Sequence, residues 1–112
     1  MARQFSAMEW NKFAVASRYR TSKLVTLVGL SRRQLERIVQ REHGCTPRSW
    51  LMSRRLIEAG DLLLAEGNVS KVASRLLYKR ASHFCRHFKE FYGVTPTTFI
   101  AAKRKANNVA FR

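Results

Sequence analysis

The sequence GCTPRSW at Gly44–Trp50 returns as GVTPTTF at Gly93–Phe99, 49 residues further along the chain. Both copies place a glycine, a threonine and a proline at the same spacing, with an aromatic residue three positions after the proline. Glycine readily takes the left-handed conformation that ends a helix, threonine caps the next helix, and proline is tolerated in its first turn. Each copy therefore predicts a corner at which one helix ends and another begins.

The charge of the chain indicates a polyanionic partner. Its 112 residues include 22 lysines and arginines against 7 acidic residues, a formal net charge of +15. A folded domain with that charge repels itself, which favours binding to nucleic acid or to an anionic membrane surface. No apolar run is long enough to span a bilayer, the first ten residues lack a signal-peptide pattern, and two cysteines do not suggest a disulfide framework. We therefore expect a cytoplasmic protein that binds nucleic acid and no membrane.

The capping residues predict an all-α fold with two helix-turn-helix subdomains joined by a long connector helix. Glycine and proline number only 5 and 2, and no segment alternates apolar and polar residues. Ser6-x-x-Glu9 has the pattern of a capping box and predicts an N-terminal helix, with a frayed arm as the alternative. The predicted parts are an N-terminal helix or arm over 1–20, a first helix-turn-helix over 21–46, the connector helix over 47–67, a second helix-turn-helix with the start of a closing helix over 68–100, and a basic tail over 101–112. The last ten residues, KRKANNVAFR at 103–112, show no periodicity and are expected to be mobile.

Within each subdomain a short helix is predicted to precede a longer basic one. The predicted helices are a short one from Thr21 that stops at Gly29, the first recognition helix Arg32–His43, the connector Pro47–Glu66, a second short helix Ser70–Leu77, and the second recognition helix Ala81–Tyr92. Side chains spaced for one apolar face are Leu24, Val25, Val28, Leu35, Ile38, Val39, Val69, Val72, Ala73 and Leu76. A glycine inside the connector, Gly60, costs about 1 kcal/mol relative to alanine and therefore indicates a close packing contact.

The repeat extends beyond the two corners. Residues 35–51 align with residues 84–100 at an offset of 49, with four identities in 17 positions. The short helices match better at an offset of 48, so the second turn is one residue longer than the first. A connector of 20 residues would span about 30 Å, close to the ~34 Å between successive major grooves on one face of DNA. The alternative is a duplicated basic helical bundle that reads no bases.

At these residues the sequence resembles the AraC/XylS family of bacterial transcription regulators, over Thr21–Ile100. The matching residues are Leu24-Val25, Gly29-Leu30-Ser31, Leu35, Arg37, Gly44-Cys45-Thr46-Pro47, Arg55-Leu56, Ala59, Leu62-Leu63, Val72-Ala73, Phe84, Arg86, Phe88-Lys89 and Gly93-Val94-Thr95-Pro96. The resemblance implies a DNA-binding domain that inserts two recognition helices into double-stranded DNA, with RNA polymerase as a further partner. Family regulators often carry a separate effector or dimerisation domain, for which residues 1–20 are too few.

Three departures from the family pattern fall in the second subdomain. Leu77-Tyr78 stands where the family has Gly-Phe, Arg80 where an acidic residue is common, and Phe99-Ile100 where the family has Tyr-Arg. If Leu77 is left-handed, a residue other than glycine costs on the order of 1 kcal/mol there. The second recognition helix is therefore expected to bind more loosely, or more electrostatically, than is usual in the family.

Base contacts are predicted on the exposed face near the start of each recognition helix. Removing the inward residues of the first helix leaves six exposed ones, of which Arg33, Glu36 and Arg37 are the predicted base contacts, the positions that the resemblance also implies. Arginine can bridge guanine O6 and N7, and glutamate can accept from cytosine N4. The alternative for Glu36 is an intrahelical ion pair. The 49-residue offset places Ser82, Cys85 and Arg86 at the equivalent positions of the second helix, and Ala81 and His83 lie close enough to join them. Cys85 could equally be a space-filling thiol.

Phosphate contacts are predicted at basic and polar residues around these faces, because they dominate affinity without reading sequence. The candidates are Lys23, Arg32, Gln40, Arg41, Lys71, Arg75, Lys79, Arg80 and Lys89. The pair His83-x-x-x-His87 does not complete a zinc site. We expect no metal, no cofactor and no catalytic constellation, so the protein is predicted not to be an enzyme.

The sequence favours a monomeric, sequence-specific regulator on an asymmetric site of about two helical turns. One alternative is a non-specific architectural or RNA-associated basic protein, which the net charge of +15 would also suit. Another is the DNA-targeting module of a larger enzyme, such as a repair protein, whose catalytic domain lies elsewhere.

Overall fold

The computed structural model describes the backbone of residues 4–110 and the side chains of residues 4–106. Over this range the chain forms seven helices and no strand, which confirms the all-α prediction. The helices are α1 (Ala7–Ala16), α2 (Thr21–Val28), α3 (Arg32–His43), α4 (Pro47–Glu66), α5 (Val69–Arg75), α6 (Ala81–Tyr92) and α7 (Pro96–Ala110). None of these described helices is both long enough and apolar enough to cross a membrane.

The chain divides into two compact units, Met1–Arg55 and Leu56–Arg112, and the boundary falls within α4. The first unit contains α1, α2, α3 and the start of α4. The second contains the rest of α4 with α5, α6 and α7. Each unit therefore holds one short helix followed by one 12-residue basic helix, α2 with α3 and α5 with α6.

The core of the first unit forms where α3 buries one face. Leu35 and Val39 of α3 and Leu24 of α2 are fully buried, and Ile38 is 8% exposed. Burying such a side chain contributes about 1.5–3 kcal/mol. Val25, expected to point inward, is only half-buried and packs at the margin of this cluster. The inward set of α3 is the one that the sequence predicted.

Helix α1 completes the first core and is not a frayed arm. The Ser6 hydroxyl accepts from the Glu9 N–H at 3.1 Å and the Glu9 carboxylate accepts from the Ser6 N–H at 3.1 Å, which confirms the capping box. Trp10 is buried, and its indole Nε1–H donates to Glu42 Oε2 at 2.5 Å. The Trp10 ring also meets the Trp50 ring edge-on, with centroids 5.0 Å apart. Helix α1 therefore braces the C-terminal end of α3.

Aromatic rings form the core of the second unit. Phe84 and Phe88 on α6 are fully buried, and Phe88 stacks on Tyr92 with centroids 4.3 Å apart. The Tyr92 hydroxyl donates to the Leu56 carbonyl at 2.7 Å. Burial, with a smaller effect from Asp61, raises the pKa of Tyr92, so the phenol keeps the proton that it donates. This bond ties the end of α6 to α4.

The two corners have the structure that their sequence predicted. Gly44 and Gly93 end α3 and α6 with φ values of 71° and 80°, in the left-handed region that favours glycine. The Thr46 hydroxyl accepts from the Ser49 N–H at 3.2 Å, and the Thr95 hydroxyl from the Thr98 N–H at 3.2 Å. The threonine caps therefore start α4 and α7 in the same way.

The second short helix ends earlier than expected. Helix α5 stops at Arg75, and Leu77 has a φ of 69°, so the predicted end at Leu77 was wrong. The reason is a tight turn in which the Tyr78 N–H donates to the Ala73 carbonyl at 3.0 Å. A left-handed leucine costs on the order of 1 kcal/mol. The strain expected from the leucine in this turn is therefore present. Val69, expected to be buried, is half-buried at the first turn of α5.

The expected mobile tail is helical instead. Helix α7 continues to Ala110, so the prediction of a tail without helical structure at 103–112 was wrong over 103–110, and residues 111–112 lie outside the described range. No glycine or proline follows Pro96, and alanine, lysine and arginine are strong helix formers. The Lys103 ammonium lies 5.8 Å from the Phe99 ring centroid. The helix propensity of these residues and the contact of Lys103 with Phe99 extend the closing helix, although the apolar residues there show no helical spacing.

The close contact at Gly60 predicts that alanine will be destabilising there. A Cβ at this position would lie 2.8 Å from the Tyr92 hydroxyl oxygen, which is closer than real Cβ atoms approach. Overpacking of this kind costs about 1–3 kcal/mol, more than the ~1 kcal/mol that alanine gains in helix propensity. We expect Gly60→Ala to lower the free energy of unfolding by about 1 kcal/mol, measured by urea denaturation.

The double variant identifies the cause. In the Tyr92→Phe background the clashing oxygen is absent, so Gly60→Ala should be neutral or stabilising. Equal costs in both backgrounds would mean that the hydroxyl does not limit the space at Gly60.

The aromatic cluster around His43 predicts an acid-sensitive first unit. The His43 ring stacks on Trp50 at 5.0 Å and meets Trp10 edge-on at 4.8 Å. His43 remains exposed at the surface, but partial desolvation by its neighbours lowers its pKa, Glu42 opposes this shift, and Arg54 adds to it. The unfolded chain therefore takes up the proton more readily, and stability falls as the pH drops through the unfolded pKa of about 6.5.

The expected result is that His43→Phe loses less stability than the unchanged protein between about pH 7.5 and pH 5.5. Urea denaturation at both pH values measures this difference. Phenylalanine keeps an aromatic ring at the position but cannot titrate. Identical losses in the two proteins would contradict a contribution from His43.

Candidate nucleic-acid interface

The first candidate surface is the face of α3 that its core contacts leave exposed. Ser31 starts the helix with a capping box, accepting from the Gln34 N–H at 3.1 Å while the Gln34 side chain accepts from the Ser31 N–H at 2.9 Å. Because Leu35, Ile38 and Val39 point into the core, the intervening positions point outward. The exposed residues are Arg32, Arg33, Glu36, Arg37, Gln40 and Arg41. We call these six the first recognition face.

This face lines an open groove with a volume of about 810 Å³. The groove is lined by all six residues of the first recognition face together with Thr21, Cys45, Thr46, Pro47 and Arg48. Five of these side chains are arginines and Glu36 is the single acid among them. The structure thus brings together every residue predicted to meet DNA on α3, in a concave basic surface. Lys23 is exposed on α2 but does not line the groove.

The predicted alternative for Glu36 occurs, since its Oε1 lies 3.5 Å from Arg32 Nε. The two side chains are 54% and 69% exposed. An exposed i,i+4 pair contributes about 0.3–0.5 kcal/mol, and less when the cation lies N-terminal to the acid. Glu36 can therefore leave this pair at little cost. Over residues 4–106, Arg33 and Arg37 have neither an ion pair nor a side-chain hydrogen bond.

The second candidate surface lies at the start of α6 and is smaller and less charged. A cleft of about 430 Å³ is lined by Lys79, Arg80, Ser82, His83 and Arg86. The predicted base contacts Ser82 and Arg86 are both exposed there. Ala81 and Cys85 are half-buried and do not line the cleft. Only part of the predicted set therefore shares one surface on this helix.

A ring cluster lies beside this cleft that sequence reasoning missed. The His83 and His87 ring centroids are 4.2 Å apart, and the Tyr78 hydroxyl lies 3.2 Å from His87 Nδ1. Tyr78 is buried and joins the two histidines to the core ring of Phe84. Among the described residues, no three histidine, cysteine or acidic side chains are placed to hold a metal ion. The pair packs against Tyr78, and the spacing of the residues along the chain gave no signal for that contact.

The remaining phosphate candidates are dispersed. Lys71 is exposed on α5 and Lys89 on α6, away from the cleft at the start of α6. Arg75 forms an ion pair with Glu66, so part of its charge is already balanced within the protein. Ion pairs with Glu36 and Glu42 likewise balance part of the charge of Arg32 and Arg41, so the expectation of a phosphate contact is weaker for all three arginines.

Arg48 is the clearest residue that the sequence interpretation overlooked. It occupies the second position of α4, is exposed, and lines the same groove as Arg33 and Arg37. The repeated corner predicts only the end of one helix and the start of another, and so gives Arg48 no role. The signal was available, because the repeat has an arginine at this position in the first copy and Thr97 in the second.

Comparison with known proteins agrees with this architecture. Residues 24–102 match the helix-turn-helix domain family. The transcriptional regulator GbdR of Pseudomonas aeruginosa is 35% identical over 75 residues, covering 66% of this chain and 20% of that protein. The transcriptional regulator NimR of Escherichia coli is 36% identical over 72 residues, which cover 64% of this chain and 26% of that protein. An uncharacterised transcriptional regulator of Haemophilus influenzae is 32% identical over 78 residues, which cover 69% of this chain and 26% of that protein. No solved structure gives a significant match.

The fold and the family match together define a helix-turn-helix domain, a class of DNA-binding fold. Within that class, the chain belongs to the AraC/XylS family, as the resemblance of its sequence predicted. It spans only about a fifth to a quarter of the length of the curated relatives that it matches.

Two glutamates on α3 provide a matched comparison between a surface ion pair and a part-buried hydrogen bond. Glu36 makes only the exposed pair with Arg32, whereas Glu42 accepts from the indole of Trp10 in a part-buried site. We expect Glu36→Ala to change the free energy of unfolding by less than about 0.5 kcal/mol. Glu42→Ala should cost about 1–3 kcal/mol, because it leaves a donor unpaired. Urea denaturation measures both, and similar costs would contradict the assignment of Glu36 to a surface role.

Proposed function

We propose that this chain is a sequence-specific regulator of transcription that inserts α3 and α6 into successive major grooves of double-stranded DNA. The observation that carries the proposal is the doubling: each unit has a short helix, a turn and a basic helix whose outer face lines an open cleft. A helix-turn-helix places its second helix in the major groove. A chain with two such units needs no second subunit to contact two half-sites, so we propose that it binds as a monomer.

In the first unit, Arg33, Glu36 and Arg37 are the proposed base contacts. Both arginines are exposed and unpaired within the described part of the chain, so neither must break a contact to reach guanine. Glu36 would give up a weak surface pair to accept from cytosine N4. Each good base contact contributes about 1–3 kcal/mol of discrimination. Arg32, Gln40 and Arg41 then hold phosphates at the edges of the groove.

In the second unit the proposed contacts are fewer. Arg86 is the cationic anchor, and Ser82 lies beside it in the same cleft. Ala81 and Cys85 are half-buried and would make small apolar contacts, for example with thymine methyl groups. Lys79 and Arg80 flank the cleft and would bind phosphate. This surface reads less sequence than the first and relies more on shape and charge.

The partners proposed beyond DNA follow from the family. A transcription regulator acts on RNA polymerase, and we propose that enzyme as a second partner. Because the chain corresponds to a fraction of its relatives' length, the same domain could function within a longer chain that carries an effector or dimerisation domain.

Selection of bound duplexes from a random pool tests the proposal. We expect one asymmetric site with two half-sites about 10 base pairs apart. The affinity for that site should exceed the affinity for random duplex by at least about 10³-fold at physiological salt. Equal affinities would instead identify a non-specific architectural protein, and a preference for RNA would exclude this mode of binding.

The repeat offers a matched pair of variants for this test, Arg37→Ala and Arg86→Ala, at equivalent positions of the two recognition helices. Each should relax base preference in one half-site only and weaken the selected site by about 1–3 kcal/mol. Lys12→Ala on the exposed side of α1 serves as the control for loss of charge. A uniform loss across all sequences would mean that the arginine holds phosphate.

A further inference from the structure

We propose that Arg48 binds a DNA phosphate beside the first recognition helix, and that the lack of an equivalent cation makes the second unit the weaker anchor. This inference rests on the proposed function and adds a residue and an asymmetry to it. The ligand class is the phosphodiester of duplex DNA.

The position of Arg48 is fixed by the corner rather than by the recognition helix. Thr46 caps the start of α4, Pro47 is buried, and Trp50 is 5% exposed. These three residues hold the first turn of α4 in place, and the side chain of Arg48 lines the groove beside Thr46 and Pro47. A phosphate contact from this position therefore requires no rearrangement of the backbone.

The charge of Arg48 is available for a ligand. Over residues 4–106 its guanidinium has no ion pair and no hydrogen bond. The groove it lines also contains Arg33 and Arg37, and a single acid, Glu36, that is already paired with Arg32. Arginine presents a planar fork of donors that matches phosphate oxygens. An exposed, unpaired guanidinium in a concave basic surface is suited to an anion.

Phosphate is the expected target because of the element that carries the residue. A recognition helix in the major groove is the element that meets base edges, while neighbouring elements meet the sugar-phosphate backbone. Arg48 lies on α4 and reaches the margin of the groove, whereas Arg33 and Arg37 lie on α3 itself. Its contact would therefore position α3 and carry no sequence information.

The second corner lacks this cation. At the repeat offset of 49 residues, Arg48 corresponds to Thr97, which is exposed but uncharged, and Thr97 does not line the cleft at α6. The two corners are otherwise alike in their glycine, threonine cap and buried proline. The same backbone geometry thus presents a charge in one unit and a hydroxyl in the other. This difference suggests a direct exchange experiment.

The experiment measures the affinity for the selected duplex and for a random duplex between about 50 and 200 mM salt. Arg48→Ala should lower both affinities by a similar factor and reduce the slope of log K against log salt by about 1, the change expected for one lost phosphate contact. Arg48→Lys should keep the slope. Thr97→Arg should raise it by about 1. Lys12→Ala, an exposed α1 position outside the groove, should change neither.

The outcomes separate this inference from the proposed function. If the unchanged protein does not discriminate between the duplexes, the proposed function fails, whatever Arg48 does. If it discriminates and Arg48→Ala leaves the slope unchanged, the Arg48 contact is overturned. Loss of preference at one base pair would mean that Arg48 reads a base. An unchanged slope for Thr97→Arg, with an unchanged helical spectrum, would overturn the explanation of the asymmetry.

Discussion

One constraint underlies the exposed basic surface of each unit: the basic helix must bury one apolar face. Leu35 and Val39 do this for α3, and Phe84 and Phe88 do it for α6, all four with no exposed surface. Successive residues of a helix are about 100° apart, so the buried face also sets which side chains point outward. The orientation of the arginines is therefore a consequence of the hydrophobic core and does not depend on interactions among the arginines.

The same core explains why the corners are repeated more faithfully than the surfaces around them. Glycine, threonine cap and buried proline are needed wherever a helix ends and the next begins against a core, and both units have that need. Position 48 and its equivalent 97 have no such role, since both are exposed. Duplicated backbone geometry with unequal exposed residues yields two similar scaffolds with different chemistry.

The sequence predicted most of the local structure and little of the long-range contact. Helices α3 and α4 begin and end where capping residues indicated, and α6 ends at the predicted glycine, because caps act within four residues. The bond from Trp10 to Glu42 joins residues 32 apart, and the pair of Arg75 with Glu66 joins separate helices. Neither contact leaves a periodic signal. The exposed face of α3 was predictable because the spacing of its apolar residues indicates both that the segment is helical and which side of the helix is buried.

The second unit combines a strained turn with fewer cationic side chains around its cleft than the first unit has around its groove. Leu77 is held in a left-handed conformation and remains 41% exposed, so burial repays only part of the strain. Tyr78, next to it, is buried against the ring of Phe84. A glycine at position 77 would relieve strain but would free the chain that positions Tyr78. Leucine at this position therefore costs about 1 kcal/mol of stability but allows the turn fewer conformations than glycine would.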